Sequence, residues 1–574
     1  MKFITNSVLI SDTHVRQRIS PRIYYFLFAG IFLLIYARGL WIPLMHNDAG
    51  HHANIALHMH NTGDYISLID RESDYLDKPH LLFWTAALCF NLFGVSAFAY
   101  KLTSFLFSLL GIYATYRLGH ELYNRKTGIF AAFILATSYA FILACNDVRM
   151  DAMLTSAMIC AVWQLVMLCR TDHVKHALLA ALAMATGFST KGMIGIVIPL
   201  TAAALYCLQN RDWKMIRSSA WLVCGIATVA LMLPVLVCFY IQFDLHPEKV
   251  INGTQGHSGW AFMIFGQSMQ RLTGNGHGKM PDGGGDPFFY VHTFLWTFLP
   301  WTPLALTAWA KAFARLFRKG LFRQRREVMT VLTATATFII LCLVSSKLPH
   351  YLNILFPFVA IFTAAFVARA KKRTVKALLF VQQGVAVLVI LLLLGLCGNY
   401  FPITNKPILL GMILLFCITV FLMFEEKLRK INKLMLMSIA LSALMFFVLN
   451  FHYYPTILQY QAGRSLAESI ASHHIPAYDV AYVASTEISN DLDFYLQTNI
   501  PTVSTTDLFT TTKTRYIVTG DEGIHTLTGL KTTIVTEAWN YNAARFSAKF
   551  IDPATRASVL RKLYLVRVEP LPQP

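Results

Sequence analysis

The residues of this chain that can do chemistry are charged side chains at the ends of long apolar stretches. Asp48 follows the first stretch, Asp151 begins another, and Lys78, Lys191 and Lys347 lie near the ends of others. Ionisable groups at membrane depth are costly, so their recurrence indicates a functional role. Cations hold phosphate groups and stabilise a leaving phosphate, while a carboxylate takes a proton from a hydroxyl. These residue types fit the transfer of a sugar carried on a phosphate.

By residue type, Asp48 or Asp151 is the proton acceptor. The cations available for a phosphate are Lys78, Arg149, Lys191, Arg271 and Lys347. Each residue alone has an ordinary alternative, since interfacial Lys and Arg often extend to lipid headgroups and a single Asp often caps a helix. The alternative weakens for the set, because carboxylates and cations occur together on one side.

The composition indicates that most of this chain lies in lipid. Of its 574 residues, 56% are hydrophobic and only 14% are charged, whereas soluble proteins carry about 25% charged residues. The net charge of +19 comes from short loops between apolar stretches, which is a topology signal and not a nucleic-acid surface. Nucleic acid is therefore excluded as a partner, and membrane lipids are expected ones.

Apolar stretches long enough to cross a bilayer recur along most of the chain. A bilayer core needs about 20 apolar residues of helix, which predicts about thirteen spans. They are expected near residues 23–44, 98–116, 128–145, 152–169, 176–188, 191–208, 219–241, 288–310, 329–345, 350–368, 377–397, 407–424 and 434–451. The first reads as a retained helix, since it is longer than a signal-peptide core and no cleavage site follows it.

Lysine and arginine concentrate in alternate loops, and this asymmetry orients the spans. It predicts a cytoplasmic N-terminus (1–22), a membrane domain (23–451) and a C-terminus on the opposite, periplasmic face of a bacterial inner membrane. Two outer loops are long, 45–97 and 242–287. In the first, 79–93 is expected to lie along the membrane surface or to span it. The glycine-rich second loop is expected to act as a lid.

From residue 452 onwards the composition changes to that of a soluble domain. Short strands are predicted at 479–484, 514–519 and 532–536, and a helix at 462–472. We therefore expect residues 452–574 to form a small α/β domain outside the membrane. The fold class predicted for the whole chain is an α-helical polytopic membrane protein with this small C-terminal α/β domain.

Five short motifs in this chain resemble those of one enzyme family. They begin at Asp48 (Asp-Ala-Gly-His-His-Ala-Asn-Ile), Lys78 (Lys-Pro-His-Leu-Leu-Phe-Trp), Arg149 (Arg-Met-Asp-Ala-Met-Leu-Thr), Thr190 (Thr-Lys-Gly-Met) and Ser346 (Ser-Lys-Leu-Pro-His-Tyr). Their order and common side resemble the GT-C glycosyltransferases of the protein O-mannosyltransferase superfamily. The similarity is closest to the bacterial aminoarabinose transferases that modify lipid A, and with the helix plan it extends over nearly the whole chain.

The resemblance implies roles for individual residues. Asp48 would be the leading catalytic carboxylate and Asp151 the second essential acid. Lys78 would serve the lipid phosphate together with Arg149, Lys191 and Lys347, and Arg271 is a further available cation. His350 and Tyr351 would line the same cavity.

The chain also departs from the family pattern. The Glu that follows the first Asp is Ala49 here, and the Glu-His-x-x-Arg-Phe of the large loop is Gln267-Ser268-Met269-Gln270-Arg271-Leu272. Ser268 thus replaces a histidine that could join an acid at a metal site. A divalent metal remains an open alternative, with Asp77, His257 and His277 as candidate ligands, and no other cofactor is indicated.

The predicted function is transfer of a sugar from a polyprenyl-phosphate donor to a lipid A, envelope-glycan or protein acceptor on the periplasmic face. Two alternatives stay open. A lipid or sugar transporter would also have many helices, although no repeat relates the two halves. A non-catalytic family member is favoured by the loss of the Glu at Ala49.

Overall fold

The computed structural model describes residues 20–45, 48–148, 150–211, 218–251, 253–273, 286–319, 327–484, 486, 488–542 and 547–570. Long helices packed side by side form most of the structure, and a five-stranded sheet lies at one end of them. This agrees with the predicted fold class, an α-helical polytopic protein with a small C-terminal α/β part.

The first half of the bundle contains ten helices and a two-stranded antiparallel hairpin between the second and third helices. The elements are α1 (Pro21–Gly39), α2 (Asp48–Thr62), β1 (Ile69–Asp70), β2 (Ser73–Asp74), α3 (Leu81–Phe93), α4 (Ala97–Leu122), α5 (Arg125–Ala136), α6 (Tyr139–Asn146), α7 (Asp151–Thr171), α8 (Val174–Lys191), α9 (Ile194–Asn210) and α10 (Ser219–Phe239).

The second half of the bundle contains several short helices and the remaining long ones. The elements are α11 (Gly259–Ala261), α12 (Gln267–Thr273), α13 (Phe289–Thr297), α14 (Thr302–Lys319), α15 (Val328–Leu343), α16 (Phe356–Arg369), α17 (Lys372–Gly395), α18 (Lys406–Phe424), α19 (Lys430–Val448) and α20 (Tyr454–Ile457). Short π or 3₁₀ turns at Tyr240–Asp244, Phe262–Gly266, Pro349–Leu355, Leu396–Tyr400, Leu449–Tyr453 and Leu458–Tyr460 extend or join these helices.

Each of the thirteen stretches predicted to span the membrane contains a helix, but these helices differ in length. Within the described residues, eight helices are long and apolar enough to cross a bilayer, and α5 with α6, bent by 57°, makes up to nine. The stretches predicted at 176–188, 191–208, 288–310 and 329–345 do not meet that measure. The segment predicted to lie on the surface or to span is α3, whose 13 residues reach only about 20 Å, too short to cross.

Helix starts and ends follow local chemistry. Ser96 caps α4 by accepting a hydrogen bond from the Ala99 N–H, and Asn405 caps α18 in the same way from Ile408. Pro21 and Pro357 lie in first turns, where no N–H donor is needed. These signals set the positions at which the charged motif residues emerge from the bundle.

The tight turn between α8 and α9 depends on glycines. A Cβ on Gly195 would lie 2.3 Å from the carbonyl carbon of Gly187, so only glycine lets the two backbones meet. Lys191, the last residue of α8, is thereby held at the tip of a closely packed helix pair.

The C-terminal α/β region, residues 462–570, contains one mixed sheet in the order β4-β3-β5-β7-β6. β3 is parallel to β4 and β5, and β7 is antiparallel to β5 and β6. Its elements are α21 (Ala462–Ser472), β3 (Val480–Val483), α22 (Asn490–Leu496), β4 (Thr502–Val503), α23 (Thr505–Phe509), β5 (Arg515–Gly520), α24 (Asp521–Thr526), β6 (Lys531–Asn540), α25 (Ala548–Ile551), α26 (Pro553–Arg556) and β7 (Arg561–Glu569). The predicted helix and three predicted strands are confirmed, whereas the domain boundary at 452 stays a prediction.

The two ends of the bundle differ in charge chemistry. Arg170 pairs with Glu121 at 3.1 Å, and Arg315 pairs with Glu327 at 3.0 Å, at the end far from the C-terminal α/β region. The guanidinium of Arg369 at that same end lies over the Tyr123 ring. The motif residues lie at the other end, beside the sheet.

Candidate active site

A cavity of about 280 Å³ lies where α7, α8, α9, α12 and α15 meet. One end is polar, lined by Asp151, Lys191, Gln267, Arg271 and Tyr351. The other end is apolar and lies between α9 and α15, where Val197 and Ile340 also face the outside of the bundle and are about half exposed. A site of this form suits a ligand with a charged head and a hydrocarbon tail.

The deepest charges in the cavity belong to Asp151 and Lys191. The Lys191 ammonium lies 2.8 Å from an Asp151 carboxylate oxygen, and both side chains are almost fully buried. The other carboxylate oxygen lies 3.7 Å from Nε2 of His350. The Lys191 nitrogen also lies 4.5 Å from the centre of the Tyr351 ring. Four residues predicted separately from three motifs therefore converge.

A second group of charges surrounds Asp77, which precedes Lys78 in the chain. Asp77 forms ion pairs with Lys78 and, at 3.6 Å, with Arg271. Burial acts to raise the pKa of Asp77, but the two cations outweigh it and hold that pKa below its usual range. The Arg271 guanidinium lies 5.8 Å from the centre of the Tyr351 ring. Lys78, Arg271 and Lys191 thus share one space around Tyr351, which suits a phosphate.

Gln267 joins the two groups of charges. Its amide nitrogen donates to the backbone carbonyl of Asp77, and its side chain is 4% exposed. A Cβ on Gly192 would lie 2.8 Å from the Gln267 amide oxygen, and Gly192 has a φ of +73°. The glycine after Lys191 is therefore required both by the backbone conformation and by the approach of Gln267. In the sequence, Gln267 is recognisable only as a departure from the family pattern.

Asp48, the first residue of α2, is exposed. It lies close enough to Lys191, His52 and Tyr75 for its charge to act on each of them. A carboxylate at a helix N-terminus is stabilised by the helix dipole in its ionised, proton-accepting form. The structure therefore brings Asp48 near the polar end of the site.

The remaining predicted residues lie elsewhere or outside the described residues. Lys347 is buried, but its ammonium binds the backbone carbonyl of Asp286 at 2.7 Å, and within the described part no contact joins it to the other cations. Arg149 and His277 lie outside the described residues. His257 bonds the Thr254 hydroxyl at 2.7 Å.

A divalent metal at Asp77 does not fit the described residues. Two cations, Lys78 and Arg271, already neutralise that carboxylate. Among the residues that the structure describes, no three His, Cys, Asp or Glu side chains gather as metal ligands would. The metal alternative draws no support from this geometry.

The sequence patterns gave no indication of a buried lysine that contacts the chain segment before Asp48. Lys101 of α4 is 1% exposed, and its ammonium donates to the backbone carbonyl of Ile42 at 2.7 Å and to those of Gly39 and Pro43 at 3.4 Å. Gly39 is the last residue of α1, where a helix leaves its carbonyl acceptors without partners, and Ile42 and Pro43 follow that helix end. A lysine only four residues into an apolar helix was the available signal.

Comparison with known proteins supports the resemblance. A profile of the family described as dolichyl-phosphate-mannose-protein mannosyltransferase matches residues 77–238, which include Lys78, Asp151 and Lys191. A Pseudomonas aeruginosa (strain UCBPP-PA14) protein named undecaprenyl phosphate-alpha-4-amino-4-deoxy-L-arabinose arabinosyl transferase is 24% identical over 335 residues, 56% of this chain and 55% of that protein. One from Edwardsiella ictaluri, with the same name, is 25% identical over 366 residues, 62% of this chain and 61% of that protein.

A solved structure extends the likeness to the whole chain. The crystal structure of ArnT from Cupriavidus metallidurans bound to undecaprenyl phosphate superposes with a TM-score of 0.73 at 19% identity, covering 96% of this chain and 100% of that one. The resemblance to aminoarabinose transferases is confirmed. The crystal structure of the Archaeoglobus fulgidus oligosaccharyltransferase in the apo form gives a TM-score of 0.50 at 11% identity, over 86% of this chain and 70% of that one, which is a likeness in fold alone.

The sequence likeness to the aminoarabinose transferases is partial. By sequence, this chain spans about half the length of the curated relatives first matched, 55% in the Pseudomonas aeruginosa protein. The likeness in three dimensions at 19% identity shows a shared fold. In this chain Asp151 pairs with Lys191, and Asp77 pairs with both Lys78 and Arg271.

Proposed function

We propose that this protein is a membrane glycosyltransferase whose donor is a sugar on undecaprenyl phosphate or a similar polyprenyl phosphate. One observation carries the proposal. Lys191 and Arg271 lie beside Tyr351 at the polar end of a cavity whose other end is apolar and lies between two helices. Lys78 lies near enough to Tyr351 and Arg271 for its charge to act on both. A lipid phosphate has this same division into an anionic head and a hydrocarbon tail.

The reaction follows from the placement of these charges. An oxygen of the acceptor attacks the anomeric carbon of the donor sugar as the bond from that carbon to the phosphate oxygen breaks. The bonding electrons stay with the phosphate, whose new charge Lys78, Lys191 and Arg271 stabilise. If the acceptor is a hydroxyl, its proton passes to Asp48. Because attack and departure occur on opposite sides, the configuration at the anomeric carbon is inverted.

Asp151 has a supporting role in this proposal. Its carboxylate lies between Lys191 and His350. The distance is 2.8 Å to the Lys191 ammonium and 3.7 Å to Nε2 of His350. Pairing fixes the Lys191 ammonium where the phosphate binds, and it offsets the cost of burying that cation before the donor arrives. Asp48 is left as the acid nearest the open rim, where an acceptor enters.

The acceptor is a hydroxyl or phosphate group of lipid A, of another envelope glycan or of a protein. We place the site on the periplasmic face of the inner membrane, with the N-terminus cytoplasmic, on the basis of the lysine and arginine asymmetry. Membrane lipids surround the bundle in this arrangement.

The test is transfer of radiolabelled sugar by the full chain reconstituted in lipid. Several polyprenyl-phosphate sugars serve as donors, and lipid A, envelope glycans and envelope proteins as acceptors. We expect transfer by the natural protein and its loss in Asp48→Asn, with undecaprenyl-phosphate binding retained in both. Full activity of Asp48→Asn removes Asp48 from the mechanism. Uptake of the donor into vesicles without sugar transfer would show that the protein is a transporter and not a transferase.

A further inference from the structure

The segment that carries Asp48 is held by the C-terminal α/β region and by Gln461, the residue directly before that region. Leu44, four residues before Asp48, donates its N–H to the Tyr495 hydroxyl at 3.1 Å and accepts from the Gln461 amide at 3.0 Å. Both backbone groups of one residue are thus satisfied by side chains more than 400 positions away in sequence. Because buried backbone groups need partners, this pairing fixes the chain immediately before Asp48.

The helix that follows Asp48 is docked on the same region. The Asn54 amide, 2% exposed, donates to the carbonyl of Asn490 at 2.8 Å, and that of Asn61 donates to Gln497 at 3.0 Å. Asn54 and Asn61 lie seven residues apart, on one face of α2, and Asn490 and Gln497 bracket α22. α2 therefore lies alongside α22 over most of the length of α22.

A third attachment holds the β1–β2 hairpin, through its turn residue Arg71. The guanidinium lies 2.5 Å from the Asp493 carboxylate, which is fully buried, and 2.5 Å from the Ile500 carbonyl, and it sits over the Tyr482 ring. A residue of the loop between α2 and α3 is thus inserted into the C-terminal α/β region.

The hairpin in turn contacts both parts of the candidate site. On one side, the contacts are to His51 and His52, which lie in the first turns of α2 after Asp48. Asp70 lies 3.4 Å from His51, and the Tyr75 hydroxyl lies 3.3 Å from His52. On the other side, the chain continues directly to Lys78. The hairpin therefore joins the proposed proton acceptor to the phosphate-binding lysine.

We propose that the C-terminal α/β region positions Asp48 for the transfer reaction, with Tyr495 and Arg71 as positioning residues. The proposal rests on the function proposed above and assigns to this region a task within that reaction. Tyr495 fixes the chain before Asp48, and Arg71 fixes the hairpin that contacts the helix after it. Neither side chain touches the cavity that we assign to the donor.

The proposal predicts separate effects on turnover and on donor binding. Lys191 and Arg271 come from α8 and α12, and Gln267 holds the Asp77 backbone from α12. These contacts keep the phosphate site in place when Tyr495 or Arg71 is changed. Asp48 instead follows the segment that Tyr495 holds, and a displacement of about 1 Å of a reacting group lowers rates by up to about a hundredfold.

The experiment uses Tyr495→Phe, which removes one oxygen atom, and Arg71→Ala in the full chain reconstituted in lipid. The matched controls are Tyr478→Phe and Arg464→Ala, both exposed side chains of the C-terminal α/β region. We expect kcat to fall about tenfold or more in Arg71→Ala and by a smaller factor in Tyr495→Phe. Undecaprenyl-phosphate affinity should stay within about twofold in both, and the controls should match the natural protein.

Amide hydrogen exchange supplies a readout that does not depend on transfer. We expect the amides of α2 to exchange about tenfold faster in both variants, while those of α7 and α8 stay unchanged. Unchanged exchange of the α2 amides overturns the positioning proposal, whether or not the natural protein transfers sugar. Absence of transfer by the natural protein would count against the proposed function alone. Unchanged kcat in both variants, with transfer by the natural protein, also overturns it, as does loss of donor affinity equal to the loss of kcat.

Discussion

The ammonium nitrogen of Lys191, the last residue of α8, lies 2.8 Å from a carboxylate oxygen of Asp151, the first residue of α7. Both side chains are almost completely buried. Removing one partner of a buried ion pair leaves an uncompensated charge, which costs about 3–5 kcal/mol. We therefore expect Asp151→Ala to lower the thermal unfolding midpoint strongly, as followed by fluorescence in detergent.

The double variant Asp151→Asn with Lys191→Met tests whether this loss comes from the pair. It removes both charges, so it should unfold at a higher temperature than Asp151→Ala while remaining inactive in transfer. Lys406→Met, at an exposed position of the same end of the bundle, is the control and should change neither. A double variant less stable than the single one would contradict the pairing.

Removing any one of the three cations near Tyr351 should weaken binding of the donor. A hydrogen bond to a charged group contributes about 1.5–3 kcal/mol, so Lys78→Ala or Arg271→Ala should weaken undecaprenyl-phosphate binding about tenfold or more. Affinity is measured by titrating the lipid into protein in nanodiscs. Lys406→Ala should bind as the natural protein does. Equal affinity of all variants would place the phosphate elsewhere.

The turn after Lys191 predicts that one glycine cannot be replaced. Gly192→Ala combines a strained positive φ with a contact of 2.8 Å to the Gln267 amide oxygen. We expect lower donor affinity, because the side chain that holds the Asp77 backbone must move. Gly94→Ala is the matched control, since its φ is +77° but nothing lies within 4 Å of the added carbon. It should lose about 1 kcal/mol of stability and keep its donor affinity.

Asp493 predicts a dependence of stability on pH. Burial raises the pKa of this carboxyl group to about 7, against the partial opposition of Arg71 and the Tyr482 hydroxyl, with Asp491 nearby. An Asp in an unfolded chain has a pKa of about 3.9. Since the folded pKa is the higher one, the stabilisation from its bound proton is complete below pH of about 4 and is lost as pH rises through about 7.

The comparison of unfolding midpoints between the natural protein and Asp493→Asn isolates this effect. From pH 5 to pH 8, the natural protein should lose stability relative to the variant, which cannot titrate at this position. Parallel curves over that range would show that Asp493 stays in one protonation state.

The charge asymmetry of the bundle predicts its orientation. Arg315, Arg369 and Lys371 lie at the end far from the C-terminal α/β region, and such clusters stay in the cytoplasm. An alkaline phosphatase fused at the C-terminus should therefore be active, and one fused after Lys371 inactive. Fluorescent-protein fusions at the same positions should give the opposite pattern. Activity at Lys371 would reverse the proposed topology.

Sequence patterns alone were sufficient for the framework. The length of the apolar stretches predicted the helices, and segments rich in β-branched residues predicted three strands of the sheet. The charge pattern put the motif residues on one side, and the resemblance to the GT-C family implied that Lys78, Asp151, Lys191 and Tyr351 share a site. These are properties of short segments, which period, length and turn residues determine locally. The same local rules overestimated the span lengths at 288–310, which the structure divides into α13 and α14.

Only the tertiary structure decided how distant segments complete the site. In the structure, Asp77 forms an ion pair with Arg271, and Lys347 donates a hydrogen bond to the backbone carbonyl of Asp286. The backbone N–H of Leu44 donates to the Tyr495 hydroxyl. Contacts of this kind depend on which helix faces meet and at what height, and no local pattern encodes that choice. The sequence by itself determined which chemistry the chain carries, whereas packing between segments hundreds of residues apart determined which groups act together.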